Sequence, residues 1–328
     1  MMRIVSLVPA GTEIVAALGA ERFLVGVSHE CDWPASVRRL PRVTTTPIDP
    51  SGSSLAIDHQ VRELSQGGQP VIAVDAAALA ALRPDLVIVQ DVCAVCAATP
   101  DGLCDLSTAM RHTPRRLSLS ARSLEGIFRD IATVGNALNL PATARGLIAR
   151  LRERLDVLSA GAGLDRPRVV CLEWLDPVFL AGHWVPDLIR AAGGNDVGAM
   201  PGAHSVQTTI EQVRDLAPDI VLVAPCGMEP GRVTTELRAL EGRMRGAGIP
   251  PFPEWGAEVW VMDGNAYTSR PGPRTIDGAE LMGWALGGVE RPGMTRWLSG
   301  GPLQGGRTGV GGLEIPRDYG IFRASRSA

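Results

Sequence analysis

The chain has 328 residues, 45% of them hydrophobic and 20% charged, with a formal net charge of −3. This is globular composition with room for two domains. The near balance of charge, with no long basic stripe, argues against a nucleic-acid partner, and no apolar run reaches the roughly 18 residues that would span a membrane. Six cysteines are too sparse for a disulfide framework, so reduced thiols and a cytoplasmic location are expected.

In chain order, "MMRIVSLVPAGTEIVAALGA" (1–20) superficially resembles a secretory signal. Its apolar stretch is broken by Pro9, Gly11 and Glu13, and it reads better as a strand followed by a helix, with Thr12 and Glu13 at the helix start. "FLVGV" reads as the next strand and runs into the polar loop "SHECDWP" (28–34). "RPDLVIVQDVC" (83–93) and "APDIVLVAPC" (217–226) then say the same thing twice: a turn at Pro-Asp, a continuous β-favouring apolar run, and a loop with cysteine. Such runs fit strands buried on both faces of a parallel sheet. A second echo links residues 3–20 with "RVVCLEWLDPVFLAGHWVPDLIRAAGG" (168–194), where Pro186 and Asp187 mark a helix start.

These repeats predict an α/β protein with two similar lobes, mainly parallel sheets, one long connecting helix and a ligand cleft between the lobes. The boundaries expected are 1–120 for the first lobe, 121–166 for the connector, 167–288 for the second lobe and 289–328 for a Gly-rich tail. The connector is helix-periodic except at Asn139–Pro141.

Ligands of parallel α/β sheets sit beyond the carboxyl ends of the strands. Five predicted loops lie there, and they hold three of the seven Trp, one of the two Tyr, two of the five His and four of the six Cys. Cys31, Cys93, Cys96 and Cys226, with His29 or His183, could bind zinc or an iron–sulfur cluster, for which Cys-x-x-Cys is a natural bite. The alternative is that these thiols are small buried hydrophobes, as expected for Cys171 inside its strand. His29 and His183 are equally readable as axial metal ligands or as hydrogen-bonded loop residues. Glu30, Asp32, Glu173, Asp176 and Asp263 could serve acid–base chemistry, but loop carboxylates more often cap helices or face water. The chain has no phosphate-loop or nucleophile-elbow motif, which argues against an enzyme. Trp255, Trp260 and Trp284 read as packing.

Taken together, "RIVSLVPAGTEIVAALG", "VGVSHECDWP", "RPDLVIVQ", "LAGHWVPDLIRAAGG", "APDIVLV" and "SRPGPR" give the chain a resemblance to the class III substrate-binding proteins, over about residues 3–288. Within them it looks most like the cobalamin-binding branch that serves the vitamin's ABC importer. The resemblance implies a non-enzymatic receptor for cobalamin or a related corrinoid or tetrapyrrole. It places Trp33 on the cleft wall in the first lobe. In the second lobe it places Trp174 and Phe179 there, with Glu173 and Trp184 of the same loop and Asn265, Tyr267 and Arg270 of the last cleft loop. Flat aromatics suit a macrocycle and the polar groups orient it. No export signal is expected from the N-terminal segment, a departure from the importer pattern that argues against docking on an ABC permease, and the loop cysteines are a second departure. The rival reading is a Cys/His-ligated metal or iron–sulfur protein with a metal-handling, redox or enzymatic role.

Overall fold

The computed structural model describes residues 2–91, 113–163 and 165–297. In the first lobe, β1 (Ile4–Ser6), α1 (Pro9–Ala17), β2 (Leu24–Val27), β3 (Thr44–Thr45), α2 (Ser54–Gln66), β4 (Ala73–Val74), α3 (Ala76–Leu82), β5 (Leu86–Gln90) and β6 (Arg115–Leu119) follow in order. The sheet runs β2-β1-β5-β6 with every pair parallel. β3 and β4 form a separate two-residue antiparallel ribbon. Helix α1 starts at Pro9, one turn before the expected Thr12–Glu13. A proline at the first helical turn loses no hydrogen bond and has the helical φ already set.

The connector region holds α4 (Leu124–Ala137) and α5 (Pro141–Ala160). Asn139 takes φ 59° between them, so what reads as one interrupted helix is two. They pack against each other at Gly135, where an added Cβ would lie 2.4 Å from Ala144 Cβ. Together they carry the chain from β6 to β7; the longer, α5, buries Leu147, Leu151 and Leu155.

The second lobe contains β7 (Arg168–Leu175), β8 (Val178–Leu180), α6 (Val185–Ala191), β9 (Asn195–Asp196), β10 (Val206–Gln207), α7 (Ile210–Asp215), β11 (Ile220–Val223), α8 (Pro230–Gly246), β12 (Glu258–Met262), α9 (Gly264–Tyr267), α10 (Thr275–Leu286) and β13 (Met294–Trp297). Its sheet order is β10-β8-β7-β11-β12-β13, with β9 beside β7. The pairs β7·β11, β11·β12 and β7·β9 are parallel, and antiparallel strands finish the edges. β13 lies within the stretch expected as a Gly-rich tail. Its Trp297 is buried and donates its indole N–H to Glu241 at 3.0 Å, so the fold takes in residues 294–297 as an edge strand. Residues 298–328 lie outside the described residues.

The repeat is visible in hydrogen bonds as well as in letters. Asp85 accepts the amide of Arg3 at 2.7 Å, and Asp219 accepts that of Arg168 at 2.7 Å. Arg83 and Ala217, each directly before a Pro-Asp, both take φ 43°. Side chains alternate across the strands as their two-residue period demands. Ile4 and Ile88 face one core and Val5, Val87 and Val89 another; Val169, Cys171, Trp260 and Met262 share the first of these cores, while Val170, Leu172, Val259 and Val261 turn to a third. The shared core includes residues of both sheets, α1, α4, α5, α6 and α10. The lobes are therefore joined by buried apolar packing as well as by the chain.

Candidate functional site

Helix α1 after β1, the loop after β2, Trp174 near the end of β7 and the segment after β12 make contacts across the seam between the lobes. On the first-lobe side, α1 presents Glu13 and the loop after β2 presents Glu30, Asp32 and Trp33. On the second-lobe side, the loop after α9 presents Arg270 and Arg274. Arg270 is 6% exposed. It pairs with Asp32, donates to the Glu30 carbonyl at 3.1 Å and lies 3.6 Å from Glu13. Arg274 donates to Glu13 Oε1 at 3.3 Å, and its guanidinium lies 4.7 Å from the centre of the Trp33 ring and 5.5 Å from that of Tyr267. Stacking on an aromatic face suits a guanidinium. Glu13 is 3% exposed, and its Oε2 has no hydrogen-bond partner among the described residues. Burial pushes its pKa up to about 7 against the pull of Arg274 and Arg270.

A second set of contacts crosses the seam at Trp174. This indole N–H is shared between the carbonyls of Ser54, in the first lobe, at 3.2 Å and Asp176 at 3.0 Å. Phe179 is paired across the strands with Trp174 and is half-buried beside it. The aromatic residues expected on both cleft walls, Trp33, Trp174, Phe179 and Tyr267, are thus half-buried, and Trp33, Tyr267 and Trp174 lie where the lobes touch.

Other expected site residues have different surroundings. Trp184 is buried in the shared core and donates to the Thr268 carbonyl at 2.7 Å, so it supports the last cleft loop from behind and shows no open face. Asn265 Oδ1 accepts the Gly227 amide at 2.7 Å, tying the loop after β12 to the loop after β11. Glu173 is half-buried, and its carbonyl accepts the Cys226 amide at 3.3 Å. Of the carboxylates considered for acid–base work, Asp263 caps α9 through the Ala266 amide at 2.9 Å and Asp176 pairs with Arg243 at 3.3 Å.

Of the donors proposed for a metal, Cys31, Cys226 and His29 have hydroxyl partners in the structure. Among the described residues, no three His, Cys, Asp or Glu side chains gather as a metal would require. Cys31 is 1% exposed and pairs with Thr12 Oγ1 at 3.1 Å and Ser28 Oγ at 3.2 Å. Burial raises its pKa, which disfavours the thiolate that metals bind. Cys226 accepts from Ser269 Oγ at 3.0 Å. His29 Nδ1 lies 2.7 Å from Thr44 Oγ1, with its pKa lowered by burial. His183 takes φ 54°, and its ring is 5.2 Å from that of His204. Cys93 and Cys96 lie outside the described residues.

Sequence reasoning missed the part played by Glu13 and Arg274. One signal was present for Glu13: it sits beside Ile14 and Val15 within an otherwise apolar helix, where an acid is out of place unless it has partners.

The sequence matches the family model described as periplasmic binding protein over residues 4–241. A vitamin B12-binding protein of Vibrio cholerae is 22% identical over 296 residues, covering 85% of this chain and 86% of that protein. A periplasmic heme-binding protein from Pseudomonas aeruginosa superposes with a TM-score of 0.65 at 22% identity, over 90% of this chain and 97% of that one. The periplasmic vitamin B12-binding protein of Vibrio cholerae does so with a TM-score of 0.60 at 22% identity, over 87% and 96%. No helix among the described residues is long and apolar enough to cross a membrane.

Proposed function

The chain belongs to the periplasmic binding protein family, and on that premise we propose that it is a receptor for a corrinoid or related tetrapyrrole held between the lobes. The observation that carries this reading is the placing of half-buried aromatic side chains from both lobes, Trp33 on one side and Trp174 and Tyr267 on the other, at one seam. Large rings bury well against such faces, and a few fixed polar groups supply orientation. Here those groups are the guanidiniums of Arg270 and Arg274 with Glu13 and Asp32. The likeness to vitamin B12-binding and heme-binding proteins supports the same class of ligand, and cobalamin is the first candidate within it. Binding requires no chemical step: the ligand exchanges water for aromatic faces, and the polar groups of the seam trade partners with its periphery.

The test is a spectroscopic titration of the anaerobically purified protein with hydroxocobalamin and, separately, with haemin. A shift of the corrin bands with retention through desalting assigns a corrinoid. A Soret shift with haemin alone assigns a haem. Neither shift at tens of micromolar ligand would remove the tetrapyrrole reading. Trp33→Ala is expected to weaken the binding that is found by roughly tenfold or more, because loss of a buried aromatic contact is worth about 1.5–3 kcal/mol.

A further inference from the structure

Among the described residues, helix α2 is the one long helix of the first lobe that takes no part in a core. Of its 13 residues only Ser54 is buried, and no α2 side chain belongs to any of the three apolar clusters. Leu55 is 44% exposed. An amphipathic helix in water is normally held by its apolar face, so α2 must be held by something else. Its side chain and backbone contacts point to the other lobe. Glu236 of α8 accepts the Ser54 amide at 3.0 Å and the Ser54 hydroxyl at 2.6 Å. The guanidinium of Arg232, one turn earlier on α8, donates to the carbonyls of Pro50 and Gly52. Trp174 donates to the Ser54 carbonyl, and Arg62 donates to Gln207 at 3.0 Å. Back in its own lobe, the segment hangs from the two-residue β3–β4 ribbon and from Thr46 Oγ1 donating to the Val71 carbonyl at 2.8 Å.

We propose that residues 46–72 form a strap pivoting on the β3–β4 ribbon, which latches across the seam onto α8 and covers Trp174. Ligand entry then requires the latch to open. Two physical features make the latch strong for its size. The Glu236 carboxylate sits on the first helical amide of α2, where it meets both an orphan donor and the positive end of the helix dipole. Arg232 satisfies two loop carbonyls at once with the fork of its guanidinium. The latch is also local: four polar groups release it without disturbing any apolar core. A ligand docking on the indole of Trp174 would compete with the Ser54 carbonyl for the same residue, so binding and latching are coupled. The gating part rests on the receptor reading above; the latch does not.

Hydrogen–deuterium exchange of the full chain separates the two. In the Arg232→Ala/Glu236→Ala double variant, amides of residues 55–66 should exchange at least about tenfold faster, since charge-assisted hydrogen bonds of this kind are each worth that much or more. Amides of β5 and β11 should keep wild-type protection and so report an intact fold. If the double variant does not fold, Glu236→Gln keeps the shape and removes the charge, and a smaller rise over the same residues is expected. Unchanged exchange in α2, with β5 and β11 protected, overturns the latch. Stopped-flow association of hydroxocobalamin should be several-fold faster in the variant. A freed α2 with an unchanged association rate overturns the gate. If neither protein binds hydroxocobalamin or haemin, the receptor reading and its gate fall, while the exchange result still decides the latch.

Discussion

Glu13 lies 3.3 Å from Arg274 and 3.6 Å from Arg270, yet burial outweighs both guanidiniums and carries its pKa to about 7. A carboxyl whose pKa is raised on folding is held more tightly protonated in the native state than in the unfolded chain. Its contribution to stability is therefore complete below pH 4.5 and is lost as pH rises through about 7. Glu13→Gln, neutral and nearly isosteric, should remove that slope. Thermal melts of both proteins across this window should show the wild type losing ground to the variant as pH rises, and parallel curves would mean that Glu13 does not titrate there. Arg270→Ala should cost roughly 3 kcal/mol in urea unfolding, the low end for breaking a buried pair, because Asp32 is half open to water and can be resolvated while Glu13 can take a proton. The sequence displayed Arg270 as a cleft residue but hid its partners. Nothing local to "SRPGPR" says that Arg274 meets a glutamate 261 positions away.

At the scale of elements, the strands were legible because their signal is local. "DLVIV", "DIVLV" and "EVWVM" are apolar on both faces, and each became a central or near-central strand, β5, β11 and β12. The break in the connector was legible too, at Asn139–Pro141, although the sequence did not show that α4 folds back on α5. That approach depends on Gly135, whose hydrogen leaves room for Ala144. Gly135→Ala should cost about 1–3 kcal/mol by overpacking, despite the better helix propensity of alanine. Chemical denaturation compares it with Gly146→Ala on α5, where an added Cβ meets only the tip of Arg150 and where a small gain of about 0.5–1 kcal/mol is expected. Short pieces were the hardest to read: β9, β10 and β13 are edge strands of two to four residues, set by pairing with neighbours rather than by their own pattern.

For the whole molecule, the continuous core through both sheets, α5, α6 and α10 has two measurable consequences. Unfolding should be a single cooperative transition, with near- and far-ultraviolet circular dichroism coinciding; two separated transitions would mean that the lobes fold independently. Ligand binding should bring little rigid-body closure, because α5 is packed between α4 and the second-lobe helices α6 and α10 within the shared core. The radius of gyration from small-angle scattering should then hold steady between the free and liganded protein, and a sharp fall would contradict the shared core. A rearranged strap would leave that radius nearly unchanged, so scattering and hydrogen exchange read different motions.

The amino-acid sequence by itself determined the central strands, the doubled α/β plan, the helical connector and the five loops that gather rare side chains, because burial of both strand faces and repetition leave a pattern within a few neighbouring residues. Only the tertiary structure decided which polar groups meet: Glu13 with Arg270 and Arg274, Ser54 with Glu236 across 182 positions, and Cys31 with the hydroxyls of Thr12 and Ser28. Charge pairs and thiol environments depend on distance in space and on exclusion of water, and neither is recorded in the order of residues along the chain.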